Sequence, residues 1–138
     1  MITALDTNIL VDLLIEDPDF QPRSEAALQE VSDEGALVIC EVVYAEVAAW
    51  FSEVSQLNQF LEETGVELKN SSSKTLWKAG QLWRKFRKGR TDEPILHRRL
   101  LADFLIGAHA SLQADRLLTR DRGFYRAAFA GLRLMTPD

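Results

Sequence analysis

The sequence predicts an α/β domain, a three-layer α/β/α sandwich around a mainly parallel sheet, and three observations predict it. Short apolar runs alternate with longer segments of helical periodicity, the order that builds parallel strands joined by helices. The length of 138 residues, 46% of them hydrophobic, suits one compact core, since a chain of this size buries roughly 68% of its unfolded surface. No repeat, low-complexity tract or linker divides the chain, so residues 1–138 read as a single domain.

The elements follow in order. Ile2 to Leu5 is a short apolar strand that meets Asp6-Thr7-Asn8, after which Ile9, Leu10, Leu13 and Leu14 recur at helical spacing. Thr7 or Asn8 is the expected N-cap. Pro18 and Pro22 break that helix, and Ala27, Leu28 and Val31 mark a second one over 24–31. Gly35 opens a strand from Ala36 to Ile39. The alanine- and valine-rich segment 41–51 and the segment 56–63, stopped by Gly65, read as helices, and Val66 to Leu68 as a brief strand. Ser71 to Ser73 cap a long helix that runs to Gly89, with Leu76, Ala79, Gly80, Trp83 and Phe86 on one face and Lys74, Lys78, Gln81, Lys85 and Lys88 on the other. Residues 90–94 are polar and turn-like. A helix starts at Asp103 and passes Phe104, Gly107, Ala108 and Ser111. A strand over 116–119, a turn over 120–123, a short helix to Phe129 and a last strand over 132–135 complete the order.

Composition narrows the function classes. A single cysteine, Cys40, forms neither an internal disulfide nor a cysteine-rich metal site. The N-terminal segment carries Asp6 and Asp12 without the basic start of a signal peptide. Glu41 and Glu46 interrupt the longest apolar stretch, and the run 104–112 is less than half of the ~20 residues a bilayer requires. These features predict a cytoplasmic protein without a membrane partner. The net charge of −5 at pH 7 argues against nucleic acid until the chain is divided. Residues 1–68 hold fifteen acids against Arg23 alone, a net −14, and residues 69–138 hold fifteen bases against six acids, a net +9. An acidic centre and a basic surface are thus expected in different parts of one molecule.

Four acids stand where chemistry is expected. In open α/β sheets, ligands bind beyond the carboxyl ends of strands, where Asp6 and Asp121 sit; Asp103 opens a helix and Glu46 interrupts an apolar one. Each has an ordinary role open to it: N-cap for Asp6 and Asp103, turn residue for Asp121, exposed helix edge for Glu46. Together, several desolvated carboxylates in one pocket repel one another, and a divalent cation resolves the conflict. Hard oxygen donors without neighbouring cysteines or paired histidines suit Mg²⁺ or Mn²⁺ rather than Zn²⁺. His97 and His109 lack metal-ligand spacing and read as packing or surface residues, as do Trp50, Trp77 and Trp83, although a base could stack on an exposed one. Asp12 falls on a different helix face from the end of the first strand, and Asp115 reads as a turn residue.

At these acids the sequence resembles a known family. Asp6-Thr7-Asn8, Glu46 after Val43-Tyr44-Ala45, the segment Ala102-Asp103-Phe104-Leu105-Ile106-Gly107-Ala108-His109-Ala110, and Leu118-Thr119-Arg120-Asp121-Arg122-Gly123-Phe124-Tyr125 look like the motifs of PIN-domain nucleases, and in particular of VapC-type toxins from toxin–antitoxin pairs. The motifs run from residue 5 to 125 in family order; residues 52–99 match only in helical character.

The resemblance implies an Mg²⁺- or Mn²⁺-dependent endoribonuclease with Asp6, Glu46, Asp103 and Asp121 as catalytic residues. Asp6, Asp103 and Asp121 would hold metal, and Glu46 would ligate directly, ligate through water or orient the attacking water. Thr7, Asn8 and Thr119 would orient the carboxylates. One ion or two are both compatible with these residues. The resemblance also implies an RNA substrate, a small VapB-like antitoxin and a homodimer. Lys85, Lys88, Arg98, Arg99, Arg120 and Arg122, with Arg116 and Arg126 beside them, are candidates for meeting RNA or antitoxin, and a solvated basic face is the plainer role for the lysines. The rival readings are a receiver or aspartyl phosphotransferase, a PIN nuclease of RNA processing, and a PIN-like binding module without activity. A phosphotransferase wants a second Asp where Asn8 stands, and a receiver wants a late lysine that 103–121 lacks.

Overall fold

The structure is a computed structural model that describes residues 1–87 and 100–138. Twelve elements follow one another among them: β1 (Ile2–Leu5), α1 (Thr7–Leu14), α2 (Phe20–Glu34), β2 (Ala36–Ile39), α3 (Glu41–Ala48), α4 (Val54–Thr64), β3 (Val66–Leu68), α5 (Ser73–Arg87), α6 (Leu101–Gln113), β4 (Arg116–Leu118), α7 (Arg122–Ala128) and β5 (Leu134–Met135). The strands form one parallel sheet in the order β3-β2-β1-β4-β5. Successive strand residues point to opposite faces, and Leu37, Val38 and Ile39 are all buried, as are Leu117 and Leu118. Both faces are therefore covered, the α/β/α arrangement that the alternating pattern predicts.

Local boundaries differ from the sequence reading where capping and proline chemistry decide. Asp6, not Thr7 or Asn8, caps α1, its carboxylate accepting the Thr7 N–H. Helix α2 begins before Pro22 rather than after it, because the first turn of a helix has no partner for its N–H groups and tolerates proline there. Helix α3 ends at Ala48, short of Phe51, and β4 and β5 are shorter than the runs that mark them. On α5, Thr75, Ala79 and Phe86 are buried while Leu76 of the expected apolar face is exposed. The expected end of that helix at Lys88 and Gly89, the polar loop 90–94, and the candidates His97, Arg98 and Arg99 lie outside the described residues.

An aromatic cluster fixes the two elements that carry the later acids. Phe104, next to Asp103, meets Phe124 edge-on at 5.2 Å, and Phe124 meets Tyr125 at 4.9 Å. Helix α6 comes so close to Phe129 that a Cβ on Gly107 would overlap the ring. Toward the amino ends of the strands, Arg116 donates to Thr3 Oγ1 at 2.8 Å and to Glu34 at 2.9 Å. Its buried guanidinium is committed there, at the start of β4, so it does not flank Asp121 as the spacing suggests.

The segment between β3 and α5 is fastened to α6 by polar side chains. His109 is buried with Nε2 donating to the Lys69 carbonyl at 2.8 Å. Gln113 takes the Ser72 N–H and the Thr75 hydroxyl and donates to the Asn70 carbonyl, while Glu41 accepts from Ser71. Such backbone groups need partners once water is excluded. Burial lowers the His109 pKa, outweighing the Lys69 bond and the nearby Glu41 charge, which raise it. The unfolded chain therefore takes up the proton first, and stability present above the ordinary value of 6.5 declines as pH falls toward the depressed folded value. Denaturant unfolding at pH 7.5 and 5.5 is expected to show a larger loss for the wild type than for His109→Gln; an equal loss in both would contradict this role.

Candidate active site

The sheet order reverses direction between β1 and β4, since the chain builds outward from β1 through β2 to β3 and separately from β4 to β5. Such a switch point leaves a crevice at the carboxyl ends of the two strands. Asp6 follows β1 directly and Asp121 lies just past β4. The Asp6 amide continues the ladder by donating to the Leu118 carbonyl at 3.0 Å. That pairing brings Thr119 alongside Asp6, where the threonine hydroxyl donates to Oδ2 at 2.7 Å.

Asp6 is 6% exposed, and its carboxylate is held from several sides. The Thr7 N–H donates to Oδ1 at 2.8 Å, the Asn8 amide approaches Oδ2 at 3.4 Å, and the Tyr125 phenol adds a further hydrogen bond. Burial nevertheless raises the Asp6 pKa above 3.8; the hydrogen bonds from Thr119, Tyr125 and Thr7 oppose that rise and the Asp121 charge adds to it. The ionised form is thus incompletely compensated by the protein alone.

The other acids are placed around this centre. Thr119 Oγ1 accepts the Asp121 N–H at 2.9 Å, so one hydroxyl links both aspartates. Thr7 Oγ1 donates to Glu46 Oε1 at 2.6 Å, tying α3 to the start of α1. Asp103 sits in the first turn of α6, where its Oδ2 accepts the Leu100 N–H at 3.2 Å. The buried Tyr125 phenol feels all three aspartates: burial raises its pKa well above 10.0, and the charges of Asp6, Asp103 and Asp121 raise it further. An open cleft of about 400 Å³ is lined by Asp6, Glu46, Asp103 and Asp121 together with Thr7 and Asn8. Among the described residues, no three His, Cys, Asp or Glu side chains are grouped so as to enclose a metal ion. What the arrangement offers is a cleft wall that draws carboxylates from several elements.

The basic candidates fall in different settings. Arg120 lines the cleft, with its guanidinium on Asp12. Arg122 donates to Thr136 Oγ1 at the surface, and the exposed Lys85 has its ammonium 5.2 Å from the Phe86 ring centroid. Lys88, like Arg98 and Arg99, is not among the described residues. Two residues of the site, Asp12 and Tyr125, carry no functional expectation from the sequence. Asp12 is buried in the cleft wall, although it lies on another face of α1 from Asp6. Tyr125 gives no signal beyond its place four residues after Asp121. Trp50 is 53% exposed and lines the cleft, which is the setting in which the sequence leaves base stacking open to it.

Comparison with known proteins agrees with this architecture. The PIN domain family model matches residues 3–130. The structure of VapBC2 from Rickettsia felis, bound to a DNA fragment from its promoter, contains a chain with TM-score 0.69 and 25% identity, covering 100% of both chains. A toxin–antitoxin complex from Klebsiella pneumoniae gives TM-score 0.66 at 21% identity, covering 99% of this chain and 98% of the other. VapBC-1 from nontypeable Haemophilus influenzae gives TM-score 0.67 at 22% identity, covering 99% and 98%. Comparison with curated protein sequences yields no match. With the family model spanning nearly its whole length and the acids of the family motifs lining one cleft, this chain belongs to the PIN domain family.

Proposed function

We propose that the protein is a metal-dependent endoribonuclease acting as the toxin of a VapBC-like toxin–antitoxin pair. The observation that carries this reading is the convergence of Asp6, Glu46, Asp103 and Asp121 on one cleft at the sheet's switch point. Support for the toxin role comes from the neighbouring structures, described as VapBC and toxin–antitoxin complexes. The partners are then RNA, a small VapB-like antitoxin and a second copy of the chain.

The donor set fits Mg²⁺ or Mn²⁺. Mg²⁺ keeps several waters and binds through one or two carboxylates plus substrate phosphate, so it needs no enclosing cage of three acids. Asp6 and Asp103 would hold it, with Asp121 contributing directly or through water. Bound there, the cation supplies acidification of a water and stabilisation of charge on the leaving oxygen. The chain's own part is orientation. The Thr7 N–H and the Thr119 hydroxyl lock the two Asp6 oxygens in place, and the Thr7 hydroxyl aims Glu46, an exposed carboxylate suited to accepting a proton from the attacking water. Phosphate must be attracted by the basic half of the chain, since the cleft itself repels it.

Purified Asp6→Asn and Asp103→Asn should each lose about 10²–10³-fold in Mg²⁺- or Mn²⁺-dependent RNA cleavage, the scale of removing one preorganised electrostatic group. Both should keep wild-type melting behaviour, and Asp6→Asn should relieve the growth arrest caused by expressing the wild type. Cleavage equal to wild type in both variants would refute the assignment. Trp50 presents an indole at the mouth of the cleft, and stacking of one base is worth ~1–3 kcal/mol. Trp50→Ala should therefore raise KM for RNA by about 5- to 150-fold with kcat little changed; an unaltered KM would exclude stacking there.

A further inference from the structure

The cleft contains a fifth carboxylate that the nuclease reading leaves without a task. Asp12 lines it from α1 and is 4% exposed. A carboxylate so buried persists only when paired and hydrogen-bonded, and Asp12 is both. Arg120 meets it with two parallel bonds, Nε to Oδ2 at 2.8 Å and Nη2 to Oδ1 at 2.9 Å. Ser24 Oγ, from α2, donates to Oδ2 at 2.6 Å. The guanidinium lies over the Phe20 ring, 4.1 Å from its centroid, and the Arg120 backbone N–H donates to Asn8 Oδ1 at 3.2 Å.

These contacts fasten one residue of the β4–α7 turn to α1 and α2 through side chain and main chain at once. That residue stands between Thr119, whose hydroxyl orients Asp6 and takes the Asp121 N–H, and Asp121 itself. Any shift of the turn moves both aspartates relative to each other. Errors of about 1 Å in such placement cost ~10²-fold in rate. An arginine that waits for phosphate presents its planar fork to solvent. Here the fork is closed on Asp12, and turning it to RNA would strand a buried charge.

We propose that the Asp12–Arg120 ion pair is a positioning element that holds Thr119 and Asp121 in register with Asp6 for RNA cleavage, with Arg120 acting through Asp12 rather than as an RNA contact. This rests on the nuclease reading. The bidentate bonds and the ring contact require the guanidinium, so lysine is not an adequate replacement.

The test uses the full chain as wild type, Asp12→Asn, Arg120→Lys and the double variant, each checked by circular dichroism melting. Cleavage of one RNA oligonucleotide with Mn²⁺ gives kcat and KM, and affinity for the same RNA is measured with Asp103→Asn added to each form. Each single variant is expected to lose ~10- to 10²-fold in kcat with KM and RNA affinity unchanged. The double variant should be no worse than the poorer single, because both remove one interaction. Weaker RNA affinity for Arg120→Lys but not for Asp12→Asn would overturn the proposal in favour of an RNA contact. Wild-type kcat in both single variants would overturn it as well. A second readout does not depend on turnover: amide hydrogen exchange at Arg120 and Asp121 should accelerate about ten-fold in Asp12→Asn, the loss of one charge-assisted hydrogen bond, while Leu117 and Leu118 stay protected. Unchanged exchange at both amides would show that the pair holds nothing. A wild type that cleaves no RNA refutes the nuclease reading itself, and the exchange result then decides whether Asp12 holds the turn.

Discussion

The carboxylate of Asp6 is buried beside the sheet, and a charge in that position must be answered by the groups around it. Removing an ion from water costs several kcal/mol even after relaxation, while a hydrogen bond to a charged group returns roughly 1.5–3 kcal/mol. The Thr119 hydroxyl and the Thr7 N–H bond it at 2.7 and 2.8 Å, yet burial still holds its pKa above 3.8. The parallel register of β1 with β4 makes those bonds available, because Leu5 pairs with Leu118 and Thr119 follows. Strand pairing, the α1 cap and the turn before α7 thus converge on one side chain.

The same constraint organises the electrostatics of the cleft. A like charge disfavours the ionised form, and the Asp121 charge adds to the rise that burial imposes on the Asp6 pKa. Asp12 adds no unpaired charge, being matched by Arg120 at 2.8 Å. Glu46 is exposed in the cleft wall, and Asp103 and Asp121 are partly buried there. The cleft draws on both halves of the chain, Asp6 and Glu46 coming from the acidic half and Asp103 and Asp121 from the basic one.

Much of this was legible in the sequence because local chemistry dictates it. Apolar runs before Asp6 and Asp121 mark strands, and an acid just past a strand end in an α/β order is placed at the crevice by topology alone. The expectation that Thr7, Asn8 and Thr119 orient carboxylates comes only through the resemblance to PIN-domain nucleases; the contacts themselves are with near neighbours or with the adjoining strand. The features that spacing misses depend on tertiary pairing. Helical spacing puts Asp12 on another face of α1 from Asp6, yet it lines the same cleft, and only the approach of Arg120, 108 positions later, gives it a role. Arg116 sits five residues from Asp121 in sequence but at the other end of a strand, where Glu34 takes its charge. Periodicity offers Thr7 or Asn8 as the cap of α1 where Asp6 takes that place, because it locates a helix start only to within a residue or two.

If a buried Asp6 organises a cation site, metal binding must depend on its charge before any RNA is present. Calorimetric titration of Mn²⁺ into the full chain, with Mg²⁺ as competitor, measures this most directly. Saturable Mn²⁺ binding to the wild type is expected, displaced by Mg²⁺ and weakened at least ~10-fold in Asp6→Asn. Absence of saturable binding to the wild type, or equal binding by Asp6→Asn, would contradict it.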